Sequence, residues 1–222
     1  LSLQKAIAFS VSTTVVLTKL MKALFRAGTS VVHAGRSRPT SGGGHLFSHF
    51  VEMWHVNRGL RPPAHGHVVG VGTLLVAHIA QVLKSVSAPP RSVEKSGESV
   101  QDVLAALKID SVPDNFGIGK YDHDQAVQRL ERIKLRWREA VEAIAELPSP
   151  QEVKTILEKA GCPTRLSQLG LTRETAVQAI RWCRYLRERY TLFDLAADVG
   201  VLSQLDVGVL SQLVDELVGE YA

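Results

Sequence analysis

Histidines are concentrated in one part of this chain, in a pattern that suits metal chemistry. Seven of the eight fall within one segment, at positions 33, 45, 49, 55, 65, 67 and 78. If a helix begins near Gly44, then His45, His49 and Glu52 share one face of it, because positions i, i+4 and i+7 stack along a helix. Imidazole is the commonest transition-metal ligand, and ligands on successive helical turns can point at one ion. His65, at the start of the next apolar segment, supplies a further ligand, so the cluster predicts a metal site.

Glycines beside His65 favour the same interpretation. Gly66, Gly70 and Gly72 keep the second helix free of bulky groups, which allows a neighbouring helix or a substrate to approach its backbone closely. The alternative is that His45 and His49 are simply half-buried members of a helical bundle. For a lone histidine that alternative would be the stronger one, but the clustering between glycine-rich flanks favours the metal site.

A second glycine-rich stretch lies just before the histidines and predicts an anion site. The sequence Ser41-Gly-Gly-Gly44 leads into a helix N-terminus, where unpaired N–H groups and the positive end of the dipole favour an anion. Arg38 is placed to add a charge-assisted hydrogen bond, so Arg38 and Ser41 are the candidate substrate-binding residues. The stretch is not a dinucleotide fingerprint, because no strand precedes it and the G-x-G-x-x-G spacing is missing.

The elements that must position these residues are predicted to be helices. Apolar residues recur every three or four positions from Tyr121 to Leu147, which indicates one amphipathic helix. Ser149-Pro-Gln-Glu152 is a capping box with proline at the first helical position, so a helix begins there and runs to about Lys159. Thr172 caps a further helix, which is predicted to reach Tyr190 and to bury Val177, Ile180, Cys183 (or Arg184) and Leu186.

The rest of the chain fits the same fold class. The segments 17–26 and 65–85 are also helical in pattern, and 37–44 and 87–99 are predicted loops. No run of alternating apolar and polar residues bounded by hairpin turns occurs. We therefore predict an all-α helical bundle that forms a single domain over residues 1–222.

Composition excludes several classes of protein. Hydrophobic residues make up 45% and charged residues 22% of the chain, as in ordinary globular proteins. Two cysteines, Cys162 and Cys183, cannot form a disulfide framework, so a reducing compartment, the cytoplasm, is expected. The apolar stretch from Ala6 to Thr18 is too short to span a bilayer, and no signal-peptide cleavage site follows it. Membrane spans and secretion are therefore not expected.

Charge is distributed unevenly along the chain. Residues 1–51 contain six lysines and arginines and no acidic residue, which indicates an anionic partner such as a phosphorylated metabolite, a nucleotide or nucleic acid. A weaker candidate for nucleic-acid binding is a basic and aromatic segment: Arg181, Trp182, Arg184, Tyr185, Arg187, Arg189 and Tyr190. Acidic residues share this segment, and arginines packed beside buried aromatics explain it more simply, so no nucleic-acid partner is expected.

The glycine and histidine motifs together resemble a known family. The residues Ser37-Arg-Pro-Thr-Ser-Gly-Gly-Gly-His-Leu-Phe-Ser-His49, followed by His65-Gly-x-x-Val-Gly-Val-Gly-Thr73, are similar to the helical, metal-binding C-terminal domain of NAD(P)-dependent sn-glycerol-1-phosphate dehydrogenases. These enzymes belong with iron-type alcohol dehydrogenases and dehydroquinate synthases. The later strings Gly161-Cys-Pro-Thr, Leu169-Gly-Leu-Thr and Arg187-Glu-Arg-Tyr-Thr-Leu also fit, so the resemblance covers about residues 17 to 200.

The resemblance implies specific roles for the histidines. It makes His45 and His65 metal ligands and places His49 at the substrate as the catalytic residue. The implied metal is divalent (zinc, nickel or iron) and acts as a Lewis acid, while a nicotinamide of NAD or NADP exchanges hydride. The implied reaction interconverts dihydroxyacetone phosphate, a small phosphorylated substrate, and sn-glycerol 1-phosphate in phospholipid metabolism. Relatives also imply a homo-oligomer.

Differences between the chain and the family leave a second interpretation open. The family's nucleotide-binding domain is absent from this chain, so NAD(P) would act through that missing domain. The family's third ligand is an acidic residue upstream of the first histidine, but residues 1–44 contain no Asp or Glu. Glu52 or water would have to substitute for it. The alternative is a catalytically inactive helical pseudoenzyme or interaction module.

Overall fold

The computed structural model describes residues 3–37, 40–90, 99–117, 120, 122–202, 214–215 and 217. All regular structure in these residues is helical, which confirms the all-α prediction. The α-helices are α1 (Leu3–Ala34), α2 (Gly43–Val56), α3 (His65–Lys84), α4 (Val100–Leu107), α5 (His123–Leu135), α6 (Trp137–Ala145), α7 (Pro150–Lys159), α8 (Arg173–Trp182) and α9 (Leu192–Asp198). Two short 3-10 turns lie at Ser167–Leu169 and Cys183–Leu186.

The chain divides into two compact units. The first, Leu1–Gly42, contains α1, and the second, Gly43–Ala222, contains α2 to α9. The segment predicted to be helical at 17–26 lies within α1, and the segment at 65–85 is α3 with Ser85 as its C-cap. That the whole chain forms a single domain stays a prediction.

Helices α2 and α3 form the centre of the second unit. Phe47 and Phe50 of α2, and Val71 and Leu74 of α3, are completely buried. Around this pair, α3 also packs on α6, α7 and α9, and α2 packs on α8 and on the 3-10 turn at 183–186. Helix α3 has the length and mean hydropathy (1.6) of a membrane span, but half of it is buried within the chain, as in the core helix of a globular fold.

Two glycines allow α2 and α3 to approach closely. A Cβ atom at Gly72 would lie 2.8 Å from the carbonyl oxygen of Gly44, and one at Gly44 would lie 3.1 Å from the amide nitrogen of Thr73. Neither glycine has room for a side chain, because backbone atoms of the other helix occupy that space. The predicted use of glycine for close helix approach is therefore confirmed at Gly72.

Gly72→Ala is expected to lower the free energy of unfolding by about 1–3 kcal/mol, because the added methyl group forces the two helices apart. Chemical denaturation of the variant and of the unchanged chain measures this difference. Gly66→Ala is the matched control, since it lies in the same helix with no atom within 4 Å of an added Cβ. It should leave stability unchanged or raise it by up to about 1 kcal/mol. Equal effects of the two substitutions would contradict the close contact.

Local capping signals confirm two helix starts. Ser149 and Glu152 form the predicted capping box, with Pro150 as the first residue of α7. The Thr172 side chain accepts a hydrogen bond from the Thr175 amide at the start of α8. The four residues expected on the buried side of this segment are indeed buried, together with Arg184.

Two predicted helices were too long. The segment 121–147 is not one helix: α5 ends at Leu135 and α6 begins at Trp137, because α5 packs on α9 whereas α6 packs on α3. The helix predicted from Thr172 to Tyr190 ends at Trp182, continues as the 3-10 turn and becomes extended at Arg187. Hydrogen bonds from Lys120, which is distant in sequence, hold the backbone after α8.

Candidate functional site

The predicted histidine face forms at the junction of α2 and α3. Helix α2 begins at Gly43, so His45, His49 and Glu52 follow one another along one side of it, as the spacing predicted. His65 is the first residue of α3, and the close crossing at Gly44 and Gly72 brings this helix beside α2. The two motifs that are separate in sequence therefore meet in one place.

The three imidazole rings lie close together. The ring centroid of His45 lies 5.4 Å from that of His65 and 6.4 Å from that of His49, and those of His49 and His65 are 5.8 Å apart. Two imidazoles on one tetrahedral ion have centroids about 5 Å apart, given a metal–nitrogen distance of about 2 Å. His45 and His65 come closest to this spacing, and they are the pair that the resemblance implied as ligands.

Glu52 orients His65. Its Oε1 atom lies 2.6 Å from Nδ1 of His65 and accepts a 2.9 Å hydrogen bond from the hydroxyl of Ser48. A carboxylate only accepts hydrogen bonds, so in the neutral ring Nδ1 carries the proton and the Nε2 lone pair is available. Metal-binding histidines are usually held by a carboxylate in this way. The contact of Glu52 with His49 is longer, at 3.4 Å between Oε2 and Nδ1.

The electrostatics of the cluster keep His45 neutral and Glu52 charged. Partial burial lowers the pKa of His45, and the neighbouring His65, His49 and Arg189 lower it further, against a small opposing effect of Glu52. Burial alone would raise the pKa of Glu52, but hydrogen bonds from His65 and Ser48 outweigh burial and lower it. A neutral imidazole with a free lone pair is the form that binds a metal ion.

These residues fit a divalent metal ion as a partial ligand set. His45 and His65 have suitable spacing, and His65 has the orienting carboxylate. Within the described part of the chain, however, no three His, Cys, Asp or Glu side chains converge to hold an ion by themselves. Glu52 does not take the place of a third ligand, because it is engaged with His65 and Ser48. The remaining coordination positions are left to water, a substrate oxygen or a carboxylate from elsewhere.

The residues of the predicted anion site before α2 differ in what the structure shows of them. Arg38 lies outside the described residues. Ser41 lies two residues before α2, in the N-terminal unit, and its substrate-binding role stays a prediction. Gly43 and Gly44 are buried: a Cβ at Gly43 would lie 2.9 Å from the ring of Phe193, and Gly44 packs on α3. These two glycines therefore serve helix packing.

Sequence reasoning missed two residues at the site. Ser48 is completely buried and lies within hydrogen-bond distance of both Glu52 and Nδ1 of His65. Its position four residues before Glu52 was the available signal. Arg189, far from His45 in sequence, contributes to the lowering of the pKa of His45.

The basic and aromatic segment considered for nucleic-acid binding is partly interior. Arg184 and Tyr185 are buried, and the guanidinium of Arg184 stacks on the Tyr185 ring and donates a hydrogen bond to its hydroxyl. Neither residue is available to a nucleic-acid surface. Cys183 is also buried, as expected for a structural thiol, and burial raises its pKa.

Comparison with known proteins gives relatives with one common description. No family model and no solved structure matches the chain. Among curated proteins, it is similar to the glycerol-1-phosphate dehydrogenases [NAD(P)+] of Korarchaeum cryptofilum (34% identity over 97 residues, 40% of this chain and 31% of the relative) and Aeropyrum pernix (38% over 98 residues, 40% and 26%). The corresponding enzyme of Geobacillus stearothermophilus is 26% identical over 175 residues, which cover 78% of this chain and 36% of the relative.

These three relatives carry the same name, and each match covers only part of the relative's length. The chain spans about a third of the length of the curated relatives it matches. Partial coverage fits the resemblance to one helical domain of a larger enzyme. By sequence, this chain is similar over part of its length to the glycerol-1-phosphate dehydrogenases.

Proposed function

We propose that this chain forms the metal- and substrate-binding part of an NAD(P)-dependent glycerol-1-phosphate dehydrogenase. The observation that carries the proposal is the pairing of His45 with His65 across the α2–α3 crossing, with Glu52 orienting His65. The names of the curated relatives supply the reaction class. The proposed reaction interconverts dihydroxyacetone phosphate and sn-glycerol 1-phosphate.

The positions of the side chains support the following proposed roles. His45 and His65 would hold a divalent ion (zinc, nickel or iron) through neutral imidazole nitrogens. When bound, the ion acts as a Lewis acid on the substrate oxygen, and NAD(P)H supplies the hydride. His49 lies on the same helix face, one turn after His45, and would hold or release a proton at the substrate oxygen. Ser48 and Glu52 position His65.

The proposal also covers the substrate, the oligomeric state and the cellular compartment. We propose a small phosphorylated substrate and a homo-oligomeric enzyme that works in the cytoplasm. Both described cysteines, Cys162 and Cys183, are free thiols, which supports a reducing compartment.

Metal removal tests the proposal. The chain, freed of metal with EDTA and dialysed, is expected to take up about one Zn²⁺ per molecule in a calorimetric titration. The whole enzyme of which this chain would form a part should oxidise NAD(P)H with dihydroxyacetone phosphate. It should lose this activity after EDTA treatment and regain it with added Zn²⁺. Failure of the chain to bind any of the three metals would contradict the proposal and favour an inactive helical module.

A further inference from the structure

A small cavity of the second unit lies between α3, α7 and the loop at 160–166. Its volume is about 230 Å³. This is below the roughly 300–1,000 Å³ of sites for drug-sized ligands, so the cavity suits a small molecule. His78, on its α3 wall, lies about 20 Å farther along that helix than His65, at about 1.5 Å per residue. The cavity is therefore separate from the histidine site. Its polar lining consists of His78, Gln151, Lys154, Thr164 and Arg165.

The charges around this cavity are positive. Lys154 and Arg165 contribute cations, and none of the described residues that line it is Asp or Glu. The ion pair of Lys154 with Glu158 is weak, because the two atoms are 4.0 Å apart and both side chains are about half exposed. Within the described part of the chain, the Arg165 side chain has no hydrogen bond or ion pair. Two cations beside one small space repel each other, and an anion between them removes the repulsion.

The loop that carries Thr164 and Arg165 is fixed by hydrogen bonds and burial. The backbone N–H groups of both residues donate 2.9 Å hydrogen bonds to Oε1 of Gln168. The next residue, Leu166, is completely buried, and its N–H donates a 2.7 Å hydrogen bond to the carbonyl oxygen of Leu217, which also lines the cavity. Thr164 is itself buried. The loop therefore holds Thr164 and Arg165 at the cavity.

The other walls of the cavity belong to packed helices. Lys154 lies on α7, whose start is fixed by the capping box of Ser149 and Glu152. The Glu152 carboxylate is engaged in this cap. Leu74 and His78 lie one turn apart on α3, which packs on α7. Because the helices and the loop are ordered without a ligand, binding of an anion there costs less conformational entropy.

Cations and a hydroxyl from separate elements suit a phosphate group. A guanidinium binds two phosphate oxygens through parallel charge-assisted hydrogen bonds, and a lysine ammonium binds a phosphate as a compact point charge. The hydroxyl of Thr164 can donate one further hydrogen bond. The two positive charges of Lys154 and Arg165 also match the charge of a dianion. A neutral ligand of the same size would gain nothing from them.

We propose that this cavity binds a small phosphate dianion through Lys154 and Arg165, with a hydrogen bond from Thr164. Inorganic phosphate and the phosphoryl group of a small monoester share this chemistry. The inference goes beyond the proposed function and does not depend on it, because it uses no residue of the histidine cluster.

Calorimetric titration of the full chain, freed of metal, with inorganic phosphate tests the inference. We expect saturable binding at one site. Arg165→Gln and Lys154→Gln should each weaken it about tenfold or more, because each removes a charged hydrogen-bonding group. Arg165→Lys keeps the charge without the planar fork and should retain part of the affinity. Circular dichroism should show the same helix content in all variants, since both residues are exposed.

Lys159→Gln is the matched control, because it removes the same charge from an exposed position at the end of α7. It should leave phosphate affinity within about twofold of the unchanged chain. A second titration, with sn-glycerol 1-phosphate, separates the two sources of the group: tighter binding than inorganic phosphate identifies a monoester, and equal or weaker binding identifies free phosphate. Absence of saturable phosphate binding, or equal weakening by Lys154→Gln and Lys159→Gln, would overturn the inference and leave the proposed metal site untouched.

Discussion

Replacing His45 with alanine is expected to weaken zinc binding by the chain about 100-fold or more. Changes to residues that merely orient a metal ligand cost about 10- to 100-fold in affinity, and His45 would contact the ion itself. Its partial burial and lowered pKa keep the ring neutral near pH 7, so the free chain needs no deprotonation there before the metal binds. Competition with a fluorescent zinc chelator measures the affinity of both proteins.

The control for this substitution is His67→Ala. His67 is exposed, lies two residues after His65 on α3 and shares its residue type with the proposed ligands. Its removal should change zinc affinity by less than about twofold, since surface imidazoles bind zinc only weakly when alone. Equal loss in the two variants would show that zinc binds to surface histidines in general and would remove the ligand role of His45.

The histidine face could be predicted because its signal is local. His45, His49 and Glu52 follow helical spacing within one element, and a helix that begins near Gly44 places them together. The role of Glu52 could not be predicted in the same way. It depends on the crossing of α2 and α3, which brings His65 within 2.6 Å of its carboxylate rather than leaving it free for the metal.

Helix boundaries could be predicted where their signal lies in consecutive residues, but not where the contacts come from distant parts of the chain. The capping box of Ser149 and Glu152 lies within four consecutive residues, and α7 begins where it predicts. After α8 ends at Trp182, the carbonyl oxygens of Arg184 and Arg189 accept hydrogen bonds from Lys120, which lies in a distant part of the chain. Periodicity continues through this segment in sequence, so it predicted a longer helix than the contacts allow.

Arg184 illustrates what composition alone cannot resolve. In the sequence it is one of several arginines among aromatic residues, and the whole segment fits either a basic surface or a partly buried helix. In the structure Arg184 is buried and its guanidinium stacks on the Tyr185 ring, so this arginine belongs to the interior and not to a basic surface.

The ion pair of Lys120 and Asp194 gives the largest expected effect on stability. The side chains of both residues are buried, with 7% and 2% of their surface exposed, and they lie 2.9 Å apart. Asp194 also caps α9 through Thr191. Removing one member of a buried pair leaves the other charge without compensation in the interior, which is more costly than losing the attraction itself.

Asp194→Ala is therefore expected to lower the free energy of unfolding by about 3–5 kcal/mol. Urea denaturation followed by circular dichroism measures the change, and Glu142→Ala, which breaks the exposed pair with Arg138, should have almost no effect. Removing both charges with Lys120→Met and Asp194→Leu together should recover much of the loss, because no uncompensated charge remains. If the single and double variants are equally unstable, the cost arises from lost packing and helix capping, and the uncompensated charge of Lys120 is not its cause.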